Sequence, residues 1–293
     1  MKSTGIRTVV VLMLSTLCLE TAHCADPASP KFDVEVSKQE SIYYSEGERV
    51  PEGYTVDRSL SAYIDALSAG FNRALASLGA TDRWLDIGAG KGQAILDYYG
   101  SDYDRRYLEG KRRGKKAQAV AISIEDRRTP LWQENVASLG GDQIRYLFNR
   151  RLREYSLKEL GKFQVITDVI GGFSYAVDLS LFMEKVMGFL ELNGSFYTVL
   201  QDVHAEDGTN RPYYAKAPFL TELASADGSD VKVCSWLKSI TCAEVTCELK
   251  THWKPPIEAY RVRKVCNDVT VPALAQIKYE AGTPPERRYQ LKN

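Results

Sequence analysis

The sequence lacks an excess of charge of either sign and, beyond its first residues, any long apolar run. Lysine plus arginine and aspartate plus glutamate number 38 each among the 293 residues. A balanced chain has no global field that would attract a polyanion, so no nucleic-acid partner is evident. The internal apolar runs are shorter than the roughly 20 residues that a membrane-spanning helix needs. With no internal repeat or low-complexity tract, the chain is expected to fold as a globular protein.

The sequence also lacks any CxxC pair, although four cysteines lie close together near its C-terminal end. These are Cys234, Cys242, Cys247 and Cys266. Their spacing is irregular for a structural zinc site, so no metal is predicted, and free buried thiols are a second alternative. An even number of clustered cysteines favours two disulfides, for which three pairings are open.

The first 25 residues have the three-part pattern of a secretory signal peptide. Lys2 and Arg7 form a positive start, residues 9–19 are an almost unbroken apolar stretch, and small residues lie near a cleavage point at Ala25. We predict that residues 1–25 are removed and that the protein is exported, either to a periplasm or out of the cell. An uncleaved, membrane-anchored N-terminus is the alternative, and only this form would contact a membrane.

Helices and strands are predicted to alternate through the rest of the chain. Residues 26–80 are expected to form a loop and a helix that begins at an N-cap, Asp57, and ends at Gly79. In residues 81–293 the predicted strands are 83–87, 117–124, 144–148, 163–167 and 195–200, and the predicted helices are 93–99, 130–139, 179–190 and 219–224. Strands at 244–250 and 257–265 are expected to pair antiparallel at the sheet edge. This alternation predicts one α/β domain with a mostly parallel sheet.

Glycines at alternate positions follow the first predicted strand. From Leu85 to Gly92 the chain reads Leu-Asp-Ile-Gly-Ala-Gly-Lys-Gly. Glycine lets a ligand approach the backbone closely, and the carboxyl edge of a parallel sheet is where such folds bind ligands. A dinucleotide fingerprint would need glycine where Gln93 stands, and a P-loop would need Ser or Thr where Gly92 stands. Both of those sites are therefore disfavoured.

This segment resembles the first motif of class I S-adenosylmethionine-dependent methyltransferases, in which an acidic residue ends the first strand and a GxGxG loop follows. The resemblance implies a Rossmann-like class I methyltransferase fold, with a mostly parallel seven-stranded sheet and an antiparallel edge strand. It also implies S-adenosyl-L-methionine as the cofactor, with the carboxylate of Asp86 orienting the site. The loop residues that it implies as cofactor contacts are Gly88, Ala89, Gly90 and Gly92.

The resemblance continues to residue 200 and covers about the middle half of the chain. In family members, an acidic residue at the end of the second strand usually binds the ribose hydroxyls of the cofactor. In this chain Ser123 stands at the usual position of that residue, and Glu125 follows it. Asp168 matches the fourth motif, which faces the methyl group and the substrate. Residues 190–195 resemble the turn before strand five. After strand three, Asn-Arg-Arg at 149–151 departs from the aspartate that often lies beside the adenine, so no adenine contact is assigned.

The implied chemistry is transfer of the sulfonium methyl group to a nucleophile, to which the protein contributes alignment and exclusion of water. A general base is optional. Asp168 and His204 are candidates for catalytic residues, the second because histidine titrates near neutral pH. Tyr175 and the Tyr43-Tyr44 pair could line the substrate pocket, although core or surface packing is the simpler interpretation. Seven basic residues between 105 and 116 are interpreted as a solvated loop, with an anionic partner or a membrane surface as the alternative.

Three functions are compatible with these features. The first is methyl transfer from S-adenosylmethionine to an unidentified acceptor, for which a small molecule is favoured over a macromolecule. Export fits this poorly, because the cofactor is a cytosolic metabolite. The alternative is an exported, non-catalytic binding protein that retains the fold. An NAD-dependent oxidoreductase is disfavoured by Gln93.

Overall fold

The computed structural model describes residues 58–107, 116–201, 220–253, 256–280 and 285–292. The N-terminal segment with Asp57 and Tyr43-Tyr44, most of the basic segment, and His204 lie outside the described residues. The division at residues 25 and 80 therefore stays a prediction. In the part of the chain that is described, no helix combines the length and apolar character needed to cross a membrane.

Eleven strands are present in the described residues. They are β1 (Arg83–Ile87), β2 (Gln118–Ile122), β3 (Ile144–Leu147), β4 (Phe163–Val169), β5 (Leu190–Leu200), β6 (Thr221–Ala224), β7 (Asp230–Val231), β8 (Ala243–Lys250), β9 (Ile257–Lys264), β10 (Leu274–Glu280) and β11 (Glu286–Leu291). Seven of them form one sheet in the order β3-β2-β1-β4-β5-β9-β8. Strands β1 to β5 pair in parallel, whereas β9 runs antiparallel to β5 and β8. The predicted Rossmann-like α/β fold, with its antiparallel pair at the edge, is confirmed.

Helices cover both faces of this sheet. They are α1 (Leu60–Ala66), α2 (Phe71–Ala76), α3 (Gln93–Tyr99), α4 (Ser101–Tyr107), α5 (Pro130–Gly140), α6 (Leu157–Leu160), α7 (Gly172–Tyr175), α8 (Leu179–Phe189) and α9 (Val233–Lys238). Several begin where the sequence supplies a cap: Thr129 accepts a hydrogen bond from the Trp132 amide before α5, and Asp178 accepts one from the Leu181 amide before α8.

Successive residues of the central strands face two separate cores. Trp84 packs into a cluster with α1, α2 and α3, whereas Leu85 and Ile87 pack into a second cluster with α7, α8 and α9. A parallel sheet is covered on both faces, which is why β1 and β4 are almost wholly buried. Side chains at neighbouring positions of β1 and β4 therefore lie on opposite faces of the sheet.

Three local predictions were wrong. In place of the single helix expected over residues 57–79 there are two helices, α1 and α2. Ser59 caps the start of α1, and Gly70, with a φ of 96°, precedes α2. Residues 221–224 form strand β6 instead of a helix, because they pair in parallel with β11, more than 60 residues away in the sequence. The turn expected at residues 190–195, before a strand at 195–200, lies inside β5, which begins at Leu190, changes its register with β4 here and contains Asn193 at a φ of 68°.

A second sheet, which the sequence did not reveal, joins the C-terminal part of the chain. Its order is β10-β11-β6-β7, with β11 and β6 parallel and the outer pairs antiparallel. Its inner side chains, among them Leu223, Leu274 and Tyr289, belong to the same core as Met183 and Trp236. The second sheet therefore packs on one face of the main domain.

Two disulfides confirm the prediction for the clustered cysteines. Cys234–Cys247 links α9 to β8, with Cα atoms 6.1 Å apart. Cys242–Cys266 links the residue before β8 to the second residue after β9, with Cα atoms 4.9 Å apart. The first therefore ties the edge strand β8 to a helix, and the second links the beginning of β8 to the residues after β9.

We expect reduction to destabilise the protein by about 2–4 kcal/mol per disulfide, because each crosslink restricts the unfolded chain. Urea unfolding with and without reductant measures this difference. A variant with all four cysteines replaced by alanine is the control, since reductant should leave its midpoint unchanged. A wild-type midpoint that does not move on reduction would contradict the prediction.

Candidate functional site

The candidate site lies at the carboxyl edge of the sheet, between β1 and β4. From β1 the strand order proceeds to β2 and β3 on one side, and from β4 to β5 on the other. Ligands of such sheets bind where the order reverses in this way. The segments that follow β1 and β4 meet here: a Cβ atom on Gly88 would lie only 2.8 Å from the Cα atom of Gly171.

The predicted glycine loop has an unusual backbone. Gly88, Gly90 and Gly92 have φ angles of 69°, 55° and 78°, in the left-handed region that side chains disfavour. The amides of Gly88 and Ala89 donate to the carbonyl of Ile122, which ties the loop to the end of β2. Among the described residues, the amides of Gly90 and Lys91 have no acceptor. The loop thus combines two backbone donors that have no acceptor among the described residues with glycine at every second position.

Two aromatic residues support this loop, and sequence reasoning missed both. The Tyr146 hydroxyl donates to the Gly90 carbonyl, and the Trp132 ring packs edge-on against Tyr146 at 5.5 Å. A Cβ atom on Gly92 would lie 3.0 Å from Trp132 Nε1, a buried donor with no partner in the described structure. No sequence pattern marks these residues, because the contacts join α5 and β3 to a loop 40 or more residues earlier.

The end of β2 lies beside the same loop. Ser123 is 7% exposed, and its amide donates to the Leu147 carbonyl. The Glu125 amide donates to Ser123 Oγ at 3.4 Å, and the Glu125 carboxylate forms an ion pair with Arg127. Both predicted ribose contacts are therefore placed at the loop, with Tyr146 also donating to the Glu125 carbonyl at 3.4 Å.

Asp86 is fully buried on the face of the sheet covered by α1 and α3. Its carboxylate accepts hydrogen bonds from the Tyr63 hydroxyl at 3.1 Å and from Thr167 Oγ1 at 2.7 Å. Burial raises the pKa of Asp86 to about 7, and the two hydrogen bonds oppose that shift. Tyr63 and Thr167 are further site residues that the sequence did not indicate. Asp86 therefore joins β1 to α1 and β4, two residues before the first glycine of the loop.

Asp168 is also fully buried, but on the opposite face. Its carboxylate accepts hydrogen bonds from the amides of Gly171 at 2.9 Å and Phe173 at 3.0 Å. Burial raises the pKa of Asp168 to about 7, while these amides and the positive charge of Arg287 lower it. The Asp168 carboxyl group thus binds the backbone at the start of α7.

Ile170, between Asp168 and α7, has a φ of 52°. This left-handed conformation is a strained one for a β-branched residue, and it persists only where the surroundings impose it. The Arg58 guanidinium donates to the Val169 carbonyl at 3.3 Å, on the other side of the same turn. Strain of this kind is concentrated at functional sites, so it marks the segment after β4 as part of the candidate site.

Of the other residues considered in the sequence, Tyr175 lies in α7, within the segment after β4. Arg150 pairs with Glu159 and packs over the Tyr155 ring, so it supplies no contact at the glycine loop. The Tyr175 carbonyl accepts a hydrogen bond from the Tyr279 hydroxyl. Lys116, in the described part of the basic segment, pairs with Asp104 at 3.3 Å.

Comparison with known proteins gives matches only among solved structures. No protein-family model and no curated protein matches the chain. A putative class I S-adenosylmethionine-dependent methyltransferase from Listeria monocytogenes is 13% identical, with a TM-score of 0.45 over 82% of this chain and 70% of that one. An rRNA methylase from Streptococcus thermophilus is 12% identical, with a TM-score of 0.40 over 67% and 94%. Geranyl diphosphate methyltransferase in complex with S-adenosylmethionine is 12% identical, with a TM-score of 0.42 over 67% and 82%. At these scores the assignment of the Rossmann-like fold rests on the order and direction of the strands.

The two buried carboxyls predict how stability depends on pH. Burial raises the pKa of Asp86 and of Asp168 from 3.8 to about 7, so the folded protein keeps protons that the unfolded chain releases. The free energy of unfolding should therefore fall between about pH 4 and 7, by up to about 1.4 kcal/mol per pH unit for each carboxyl. Asp86→Asn should roughly halve this slope, measured by thermal unfolding across that range.

Asp142→Asn is the matched control, because Asp142 is exposed on a surface turn. This variant should keep the wild-type slope. If Asp86→Asn also kept it, the buried carboxyl of Asp86 would not be the group that holds the extra proton.

Proposed function

We propose that this chain is an S-adenosylmethionine-dependent methyltransferase. One observation carries the proposal: three left-handed glycines, Gly88, Gly90 and Gly92, follow β1 directly at the point where the strand order reverses. Such a loop allows a ligand to contact the backbone at the place where this class of sheet binds ligands. The position of Gln93, the first residue of α3, argues against a dinucleotide loop.

The residues present fit the cofactor. The amides of Gly90 and Lys91, which have no acceptor among the described residues, can donate to the carboxylate of the methionine moiety, and the glycines leave space for its chain. Ser123 and Glu125 lie beside the loop, where the ribose hydroxyls would need acceptors. The buried Trp132 Nε1 beside Gly92 adds a donor that has no partner in the described protein. Asp86, near the end of β1, would orient the loop indirectly, because its carboxyl group fixes the strand that leads into it.

The cofactor supplies an activated methyl group, and the protein positions it. The glycine loop binds the cofactor, and the strained turn at Ile170 faces the loop across the β1–β4 boundary. We propose that Asp168 acts by fixing this turn, because both carboxylate oxygens accept backbone amides. The methyl acceptor is proposed to be a small molecule, and His204 stays a candidate for a general base.

We also propose that the mature protein is exported after removal of residues 1–25. The two disulfides among the described residues support this, because thiols in the cytosol are kept reduced. The signal pattern of the N-terminus supplies the second, independent line of support.

Gly90→Val should abolish cofactor binding in a protein that still folds, because the new side chain would project from the loop where the ligand approaches. Titration calorimetry with S-adenosylmethionine, S-adenosylhomocysteine and NAD measures this. We expect wild-type protein to bind the first two and not NAD, and the variant to bind at least about 100-fold more weakly, a loss of about 2.7 kcal/mol.

Gly228→Val is a matched control for the backbone strain. Gly228 also has a positive φ, 87°, but a Cβ atom there meets nothing within 4 Å, and the residue lies in the turn before β7. This variant should bind normally. A folded Gly90→Val protein with wild-type affinity would refute the loop assignment, and cofactor binding without any methyl transfer would favour the binding-protein alternative.

Export predicts that the mature chain begins near Ala25 or Asp26 and contains no free thiol. Intact mass of the protein recovered from the producing cells, with and without reduction and alkylation, measures both properties. Retention of Met1 would contradict cleavage, and four alkylatable thiols before reduction would contradict an oxidising compartment.

A further inference from the structure

Arg287, in strand β11 of the second sheet, is a buried charge. It is 2% exposed, and its side chain donates hydrogen bonds only to neutral oxygens. Its Nη1 atom donates to the carbonyls of Phe173 and Ala176, both at 2.9 Å, while Nε and Nη2 donate to Thr221 Oγ1 at 3.2 and 3.0 Å. Among the described residues it has no carboxylate within ion-pair distance. Burying a charge without an ion-pair partner costs free energy, and the four hydrogen bonds offset part of that cost.

The carbonyls that Arg287 binds belong to the end of α7, whose start is bound by Asp168. The Asp168 carboxylate accepts the amides of Gly171 and Phe173, and the Tyr289 hydroxyl donates to the Ala176 carbonyl at 2.9 Å. Helix ends leave amides unpaired at the N-terminus and carbonyls unpaired at the C-terminus. The Asp168 carboxyl group at the first end and the Arg287 guanidinium at the second bind both sets of groups. Residues 170–176, the post-β4 segment, are therefore held at both ends by side chains.

The post-β4 segment is in turn packed against the glycine loop. A Cβ atom on Gly171 would lie 2.8 Å from the Ile87 carbonyl oxygen and 3.2 Å from the Gly88 Cα atom. The neighbouring Ile170 keeps its left-handed backbone only under restraint. A small movement of the segment would therefore change the position of the loop or relax the strain.

We propose that Arg287 is a positioning residue, which fixes the post-β4 segment against the glycine loop and so makes cofactor affinity depend on the second sheet. The identity of the cofactor rests on the function proposed above, whereas the restraint on the segment rests on the contacts alone. Arg287 acts through the carbonyls of Phe173 and Ala176 and contacts no reacting group.

Arg287→Met tests this by removing the charge while keeping an extended apolar side chain. Two properties are measured: the affinity for S-adenosylhomocysteine by calorimetry, and amide hydrogen exchange of the peptide that covers residues 170–176 by mass spectrometry. We expect exchange in this peptide to accelerate at least about tenfold and the affinity to fall about 10- to 100-fold. Both measurements are made well below the melting temperature of the variant.

Two controls separate positioning from a general loss of stability. Arg288→Met changes the next residue, which is half-exposed and pairs with Glu222 on the outer face of the sheet, and it should match wild type. Leu274→Ala removes a buried side chain from β10 of the same sheet and should lower the melting temperature without changing either readout. If Arg287→Met behaves like Leu274→Ala, with lower stability alone, the proposal is wrong.

Tyr289→Phe keeps the test decisive if Arg287→Met does not fold. It removes only the hydroxyl that binds the Ala176 carbonyl, so we expect faster exchange at the end of the segment and a severalfold weaker affinity. Unchanged exchange in this variant would overturn the restraint. If wild-type protein binds neither S-adenosylmethionine nor S-adenosylhomocysteine, the proposed function fails, while the exchange comparison still decides whether Arg287 holds the segment.

Discussion

The site depends on the close approach of two backbone segments at the carboxyl edge of the sheet. The residues after β1 and those after β4 pack so tightly that neither Gly88 nor Gly171 has room for a Cβ atom. Adjacent parallel strands bring their carboxyl ends together, but ordinary side chains would keep the following loops apart. The two glycines remove that obstacle, and the positive φ of Ile170 places backbone strain in the second segment.

Two buried aspartates lie beside this contact, on opposite faces of the sheet. Asp86 is held by Tyr63 and Thr167 on the α1–α3 face, and Asp168 binds the amides of the post-β4 segment on the α7–α8 face. Their opposite orientation follows from the alternation of side chains along a strand and from the register of β1 with β4. Each carboxyl gains hydrogen bonds that offset part of its desolvation, yet burial still dominates and raises the pKa of both.

The second sheet extends this arrangement from the C-terminal end of the chain. Strand β11 contributes Arg287 and Tyr289, which complete the hydrogen bonding at the end of α7. The disulfides lie elsewhere, at the junction of α9 with β8 and at the hairpin of β8 and β9. They stabilise the edge of the large sheet, whereas Arg287 contacts the segment that follows β4.

The sequence by itself determined the features that depend on neighbouring residues. The alternation of strands and helices, the glycine loop after β1, the helices with local caps and the formation of two disulfides by four clustered cysteines could all be predicted from short-range patterns, whereas which cysteines pair could not. The break at Gly70, the strand at residues 221–224 and the second sheet could not, because they depend on packing against distant elements. The same holds for the site: Asp86 and the glycines are adjacent in sequence, but Tyr63 lies 23 residues from Asp86 and Arg287 lies 114 residues from Phe173. Only the tertiary structure could bring those side chains together, since hydrogen bonds across such separations leave no periodic signal in the chain.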